Sequence, residues 1–226
     1  MPHAAVLASA RQIGELQAPL PDASVLLIAL VALVAVLPGV WLVTRHVTVM
    51  AHEGAHAVIG SAVGRRVSAV RLMRNADGVT SLGDGGAAGS VLIGIVGYLG
   101  PSAFGVGAAG LIHAGHIIAV LWAGLAALAL LMIPLRASFG VVTVAAVFLL
   151  LALLAFAGTL QTQIVSAYAV TWFLLLSSVR IVLLRGTSAG DAGILQGLTR
   201  IPAGFWYRLW LLGTVAALCY GAVLLF

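Results

Sequence analysis

The amino-acid sequence predicts an all-α polytopic membrane protein, a bundle of about seven transmembrane helices with a small membrane-associated β-hairpin. Three observations predict it. The 226 residues are 62% hydrophobic and 8% charged, whereas a soluble domain carries roughly a quarter charged residues. Mean hydropathy is +1.18. The apolar residues fall into runs close to the ~20 positions a helix needs to cross a bilayer, and every polar stretch between them is short.

Residues 1–23 read as a non-membrane N-terminal segment and 24–226 as a single membrane domain. The first apolar run, 24–43, lies between Asp22 and Arg45, with Pro38-Gly39 loosening its last turns. It lacks a small-residue cleavage site and more membrane segments follow at once, so it reads as a retained helix. Residues 46–63 form a second, short span ending at Gly64-Arg65-Arg66. From 67 to 82 the pattern changes to strand, Asn75-Ala76-Asp77-Gly78 turn and return strand, a hairpin signature. An ordinary connecting loop fits the periodicity equally well.

The next run, 88–112, contains Gly94, Gly97, Gly100 and Pro101. Such glycines permit close helix approach, and Gly100-Pro101 should interrupt or bend the helix. His113 and His116 could form a metal pair, but they read better as polar markers of the turn before a span at 117–134. Further spans are expected at 138–157, 163–183 and 204–225. Most of the five tryptophans sit toward segment ends, where amphipathic rings anchor at interfaces.

The net charge of +5 comes from eleven arginines and no lysine. No aromatic-interleaved basic patch accompanies them, which argues against nucleic acid as a partner. Seven spans with a cytoplasmic N-terminus leave Arg45 alone on the outer side, a strong positive-inside bias. The expected location is therefore a membrane, with lipid as an obligatory neighbour. Cys219 lies in the last apolar run and reads as a small buried hydrophobe.

Chemistry concentrates at His52-Glu53-Gly54-Ala55-His56, an HExxH sequence. The whole chain has six acidic residues and six histidines, yet three of those twelve fall within these five positions. On a helix the spacing puts both imidazoles on one face and lets Glu53 reach a metal-bound water. Imidazole suits zinc, and the carboxylate can act as base. Ionisable clusters at membrane depth are costly unless ligated or paired, which argues against coincidence.

Two histidines leave a catalytic zinc one protein ligand short. Glu15 and Asp22 precede the bundle, and Asp77 and Asp84 have turn roles. Asp191, after Gly186-Thr187-Ser188-Ala189-Gly190, is either the third ligand or a helix N-cap, and spacing alone does not choose. The positive-inside count also puts Asp191 in an inner-side connection while His52 and His56 lie near mid-membrane. They meet only if the segment around 188–200 dips into the bundle.

The run from His46-Val47-Thr48 through His52-Glu53-Gly54-Ala55-His56-Ala57 combines with Gly97-Tyr98-Leu99-Gly100-Pro101 and with Asp191-Ala192 through Pro202 to Trp206. This ordered set resembles the M50B-like peptidases, small bacterial and plant relatives of the site-2 proteases, over about residues 25–226. The resemblance implies an intramembrane endopeptidase using Zn2+ held by His52, His56 and Asp191, with Glu53 as general base. It also implies a membrane-associated β-hairpin, here 67–82. Departures are Gly190-Asp191-Ala192 in place of a longer Asp-Gly context, and no asparagine nearby to serve the substrate carbonyl.

The substrate implied is a transmembrane protein, unwound and held extended beside the hairpin. Val79, Thr80, Gly100 and Pro101 are the expected substrate-binding residues. A bacterial plasma membrane is the expected home. The alternative is a catalytically inactive relative that binds metal or membrane partners. A metal transporter would show more acidic residues spread across its spans. Oligomeric state has no signature in the sequence.

Overall fold

The computed structural model describes residues 14–186 and 190–226. Arg11 and most of the expected N-terminal segment, and Thr187 to Ala189, lie outside the described residues. Among those described, the order is α1 (Asp22–Ala35), α2 (Pro38–Ala62), β1 (Val67–Leu72), β2 (Gly78–Leu82), α3 (Ala87–His113) and α4 (Ala119–Met132). Then follow β3 (Leu135–Arg136), α5 (Ser138–Ala157), α6 (Leu160–Arg185), α7 (Asp191–Thr199) and α8 (Ala203–Leu225).

The protein is a largely helical membrane protein. Four described helices, α3, α5, α6 and α8, are long and apolar enough to cross a bilayer. The bent pair α1 and α2 makes a fifth if it counts as one broken span. The expectation of seven differs in two places. The break between the first two segments falls at Val36-Leu37, with a 96° bend, not near residue 45. Proline cannot continue a helix because it lacks an N–H and clashes with the preceding turn, yet it suits a helix's first position. Pro38 therefore ends one helix and starts the next. The Thr44 hydroxyl crosses the break and donates to the Ala35 carbonyl at 2.6 Å. The second difference is α4, whose 14 residues rise only about 21 Å, short of the ~30 Å hydrocarbon core.

Moving the break to Pro38 puts Arg45 inside α2. It lies one turn beyond Trp41, whose ring carries the Arg180 guanidinium 5.7 Å from its centroid. Arg45 and Arg180 thus share one level of the bundle, against the expectation that Arg45 stands alone on the opposite side. A second correction concerns Cys219, which is exposed. Helix α8 is apolar on nearly every face, so hydrophobicity alone could not say which face is covered. A third concerns Pro101, which does not interrupt its helix: α3 continues through it.

Strands β1 and β2 pair antiparallel, from Val67 opposite Leu82 to Leu72 opposite Gly78. The turn closes as the Asp77 carbonyl accepts from Met73 N–H at 2.9 Å, with Ala76 at φ 62°. Strand β3, unannounced in the sequence, adds to β1 in parallel, giving the order β2-β1-β3. Strand β2 is left at the edge, against α2.

Two apolar clusters fill the bundle. One, around Ile117, Tyr168 and Leu175, joins α1, α3, α4 and α6. The other, around Val70, Tyr98, Leu195 and Trp210, packs the sheet, α2, α3, α7 and α8 together. The conspicuous ionisable cluster lies in the second.

Candidate metal centre

Helix α2 presents His52 and His56 one turn apart. Helical side chains lean toward the helix N-terminus, so the two rings meet edge to face with centroids 4.7 Å apart. Their Nε2 atoms are 3.1 Å apart. Asp191, the first residue of α7, brings its Oδ2 to 3.3 Å from each of those nitrogens. The side chains of His52, His56 and Asp191 are 12%, 9% and 14% exposed, so the cluster is almost sealed. Among the described residues it is the one group of three or more His, Cys, Asp or Glu able to share an ion.

The separation in depth expected between Asp191 and the histidines does not occur. Short helix α7 packs against α3 and α8, and the chain enters it through Gly190 at φ 75°. A left-handed backbone favours glycine. Gly190 occupies the cap position with no side-chain cap, so the N-cap reading of Asp191 falls. Gly97 completes the floor. A Cβ there would meet His56 Nε2 at 2.5 Å and Asp191 Oδ2 at 2.6 Å.

The donor set fits a divalent zinc ion. His56 Nδ1 lies 2.9 Å from the Ile93 carbonyl; donation there puts the proton on Nδ1 and leaves the Nε2 lone pair free, the usual support for a ligating imidazole. Asp191 Oδ2 is buried and makes no hydrogen bond despite its two close neighbours. Two imidazole nitrogens and one carboxylate oxygen, converging within 4.8 Å, form a donor set of the kind found in catalytic zinc sites. The His52 Nδ1 and, one turn earlier, the Thr48 hydroxyl are also buried without a partner.

Glu53 is 3% exposed beside this cluster. Strand β2 fixes it: the Thr80 hydroxyl donates to Glu53 Oε2 at 2.6 Å, and the carboxylate rests on Gly78, where a Cβ would collide with it. The hairpin tip is tied to the end of α6, because Arg185 pairs with Asp77 at 2.5 Å and donates to the Ala76 carbonyl at 2.8 Å. Both partners are 40% exposed, so this pair adds little stability. It does frame a cavity.

That cavity, about 620 Å³, is lined by His52, Glu53, His56 and Asp191, with Thr80, Tyr98, Arg65 and Arg185 among its other walls. Of the residues expected to bind substrate, Val79 is exposed on its rim and Thr80 lines it while holding Glu53. Gly100 and Pro101 lie elsewhere, buried, with Gly100 pressed against Ala55 behind the HExxH turn. His113 and His116 flank Gly115 at φ 79°, and the His113 Nδ1 lies 3.3 Å from the Leu224 carbonyl. They belong to a turn remote from the cluster.

Three site residues had no assigned role in the sequence. Gly78 reads as a turn residue and Gly97 as a helix-packing glycine. Tyr98 sits in the Gly97–Pro101 motif, but nothing in periodicity distinguishes it from a core aromatic. The family model described as Peptidase M50B-like matches residues 24–221. No curated protein and no solved structure matches the chain.

Proposed function

The chain belongs to the M50B-like peptidase family, and from that premise we propose that it is an intramembrane zinc endopeptidase. It hydrolyses peptide bonds in or beside the transmembrane segments of protein substrates. One observation carries the reading: two imidazoles of α2 and a carboxylate of α7 converge within 4.8 Å, with a buried glutamate on the next residue of the same helix.

His52, His56 and Asp191 are the residues that would hold the ion. Bound there, zinc acidifies a water and polarises a carbonyl as a Lewis acid. Glu53 is the general base: it takes a proton from the attacking water and passes it to the leaving nitrogen. Thr80 occupies Glu53 Oε2, so the carboxylate is held in one orientation, and Oε1 is left for the proton. Glu53 and His56 are themselves buried, and burial strengthens each of these interactions.

A helical substrate hides its peptide bonds and must be extended before it is cut. Strand β2 stands at the edge of the sheet and touches Glu53 through Thr80. An extended peptide added along that edge would pass directly beside the base, with Val79 on the exposed side. The hairpin thus works at the membrane surface, and residues 24–226 act as one domain. The home of the enzyme is a bacterial plasma membrane.

The test is Glu53→Gln in purified, zinc-loaded protein reconstituted with transmembrane substrates. Cleavage should fall by about 100-fold or more, while bound zinc stays unchanged. Full activity in that variant removes Glu53 as the base.

A further inference from the structure

We propose that Tyr98 is a catalytic residue of this site, its hydroxyl donating a hydrogen bond to the carbonyl oxygen of the scissile peptide as that oxygen gains charge. This inference rests on the peptidase reading above. Amide hydrolysis builds negative charge on that oxygen, and a preorganised donor aimed at it contributes on the order of 100- to 1,000-fold in rate. No asparagine lines the cavity, so a side-chain donor to that oxygen has to be another group on its wall.

Most candidate donors on that wall are already engaged. The His56 Nδ1 serves the Ile93 carbonyl. The Thr80 hydroxyl serves Glu53. Arg65 Nη2 is held by the Gly86 carbonyl at 2.6 Å and the Ser90 hydroxyl at 2.8 Å. Arg185 serves Asp77 and the Ala76 carbonyl. The His52 Nδ1 has no partner, but it is sealed from the cavity. Tyr98 also lines the cavity, and its hydroxyl makes no hydrogen bond among the described residues.

Its placement is rigid. Tyr98 is 7% exposed, its ring wedged between His52 and Trp210 with both centroids at 4.6 Å. Trp210 is itself pinned, donating from Nε1 to the Ile95 carbonyl at 2.9 Å. A buried phenol normally finds a partner; this one is packed between two rings and left without one. It also points to the right neighbourhood. Tyr98 follows Gly97, on which His56 and Asp191 rest, and its hydroxyl lies 3.9 Å from where a Cβ on Gly190 would stand, one residue before Asp191. The bare Gly190 leaves space beside the hydroxyl for a substrate atom. The hydroxyl donates and keeps its proton, so no bond of Tyr98 is made or broken. A ring needed only for packing could be phenylalanine.

Tyr98→Phe keeps the ring and removes the donor. In zinc-loaded protein reconstituted in lipid, its kcat should fall about 100-fold with KM and zinc content unchanged. A phosphinic peptide of apolar sequence, whose anionic oxygens mimic the charged carbonyl oxygen, should bind the variant roughly tenfold more weakly. Wild-type kcat, wild-type affinity for the phosphinic peptide, or zinc loss that accounts for the lost rate would each overturn the inference. If Glu53→Gln is inactive while Tyr98→Phe cleaves normally, this inference fails and the peptidase reading stands. If the zinc-loaded wild type cleaves nothing and both proteins bind the phosphinic peptide equally, both fail.

Discussion

Helices α3 and α5 are both apolar and both long enough to cross a bilayer, yet they are built for different neighbours. Half of the most apolar stretch of α3 is buried inside the protein, against 22% of that of α5. Along α3, Gly94, Gly97, Gly100 and Gly105 each face a partner so closely that a methyl group would overlap it. Along α5, Leu149, Leu150 and Leu153 point outward and are 58–66% exposed. Hydrophobicity puts both in the membrane, but it does not decide which helices meet. In lipid an aliphatic side chain gains little by leaving one apolar neighbour for another, so small residues set the contacts. The ionisable cluster sits where those contacts are tightest.

Substitutions can break this contrast. The largest effect is expected at Gly97. Gly97→Ala drives a methyl group into His56 and Asp191 and should weaken zinc binding by at least about 100-fold, abolishing cleavage. Gly107→Ala, on the same helix but with nothing within 4 Å of the new Cβ, should leave zinc affinity by calorimetry and cleavage unchanged. Equal losses in the two variants would show that α3 tolerates no alanine anywhere, and the face-specific account would fail.

Leu175 gives the same contrast in stability. It is fully buried and fits against Gly105 and Gly221, so Leu175→Ala should cost about 2–5 kcal/mol of unfolding free energy. Leu150→Ala should cost under about 0.5 kcal/mol. Unfolding in mixed micelles, monitored by tryptophan fluorescence, measures both.

Smaller effects separate the base from the metal ligands. Gly78→Ala pushes the Glu53 carboxylate off its seat and should lower kcat about 100-fold, with zinc stoichiometry intact. Thr80→Val loses only one hydrogen bond to that carboxylate and should lower kcat roughly tenfold. Zinc loss in either variant would mean that the hairpin supports the ligands as well as the base.

How much of this was readable in the sequence depended on range. The His52–Glu53–His56 arrangement follows from helical period alone; alternation around an Asn-Ala-Asp-Gly turn allows the hairpin but fits a connecting loop equally well, and the family resemblance tips it toward the hairpin. Both are local. Spacing does not decide Asp191, because its approach depends on the left-handed Gly190 and on the missing side chain at Gly97, one distant in sequence from the other. Strand β3 is two residues after Pro134, too short for any periodic signal, and exists only because β1 offers an edge. The helix boundary at Pro38 was misplaced because Arg45 and His46 look like an interface, while the stacking of Arg180 on Trp41 at the same level is a tertiary fact. Tyr98 and Thr80 are ordinary residues until folding puts them beside His52 and Glu53.

The most direct test of the account is zinc K-edge absorption with elemental analysis on detergent-purified protein, wild type against Asp191→Ala. Wild-type protein should hold about one zinc ion per chain, bound by two imidazole nitrogens and a carboxylate oxygen, and the variant should show a marked loss of zinc affinity. Unchanged stoichiometry, affinity and absorption spectrum in Asp191→Ala would contradict it.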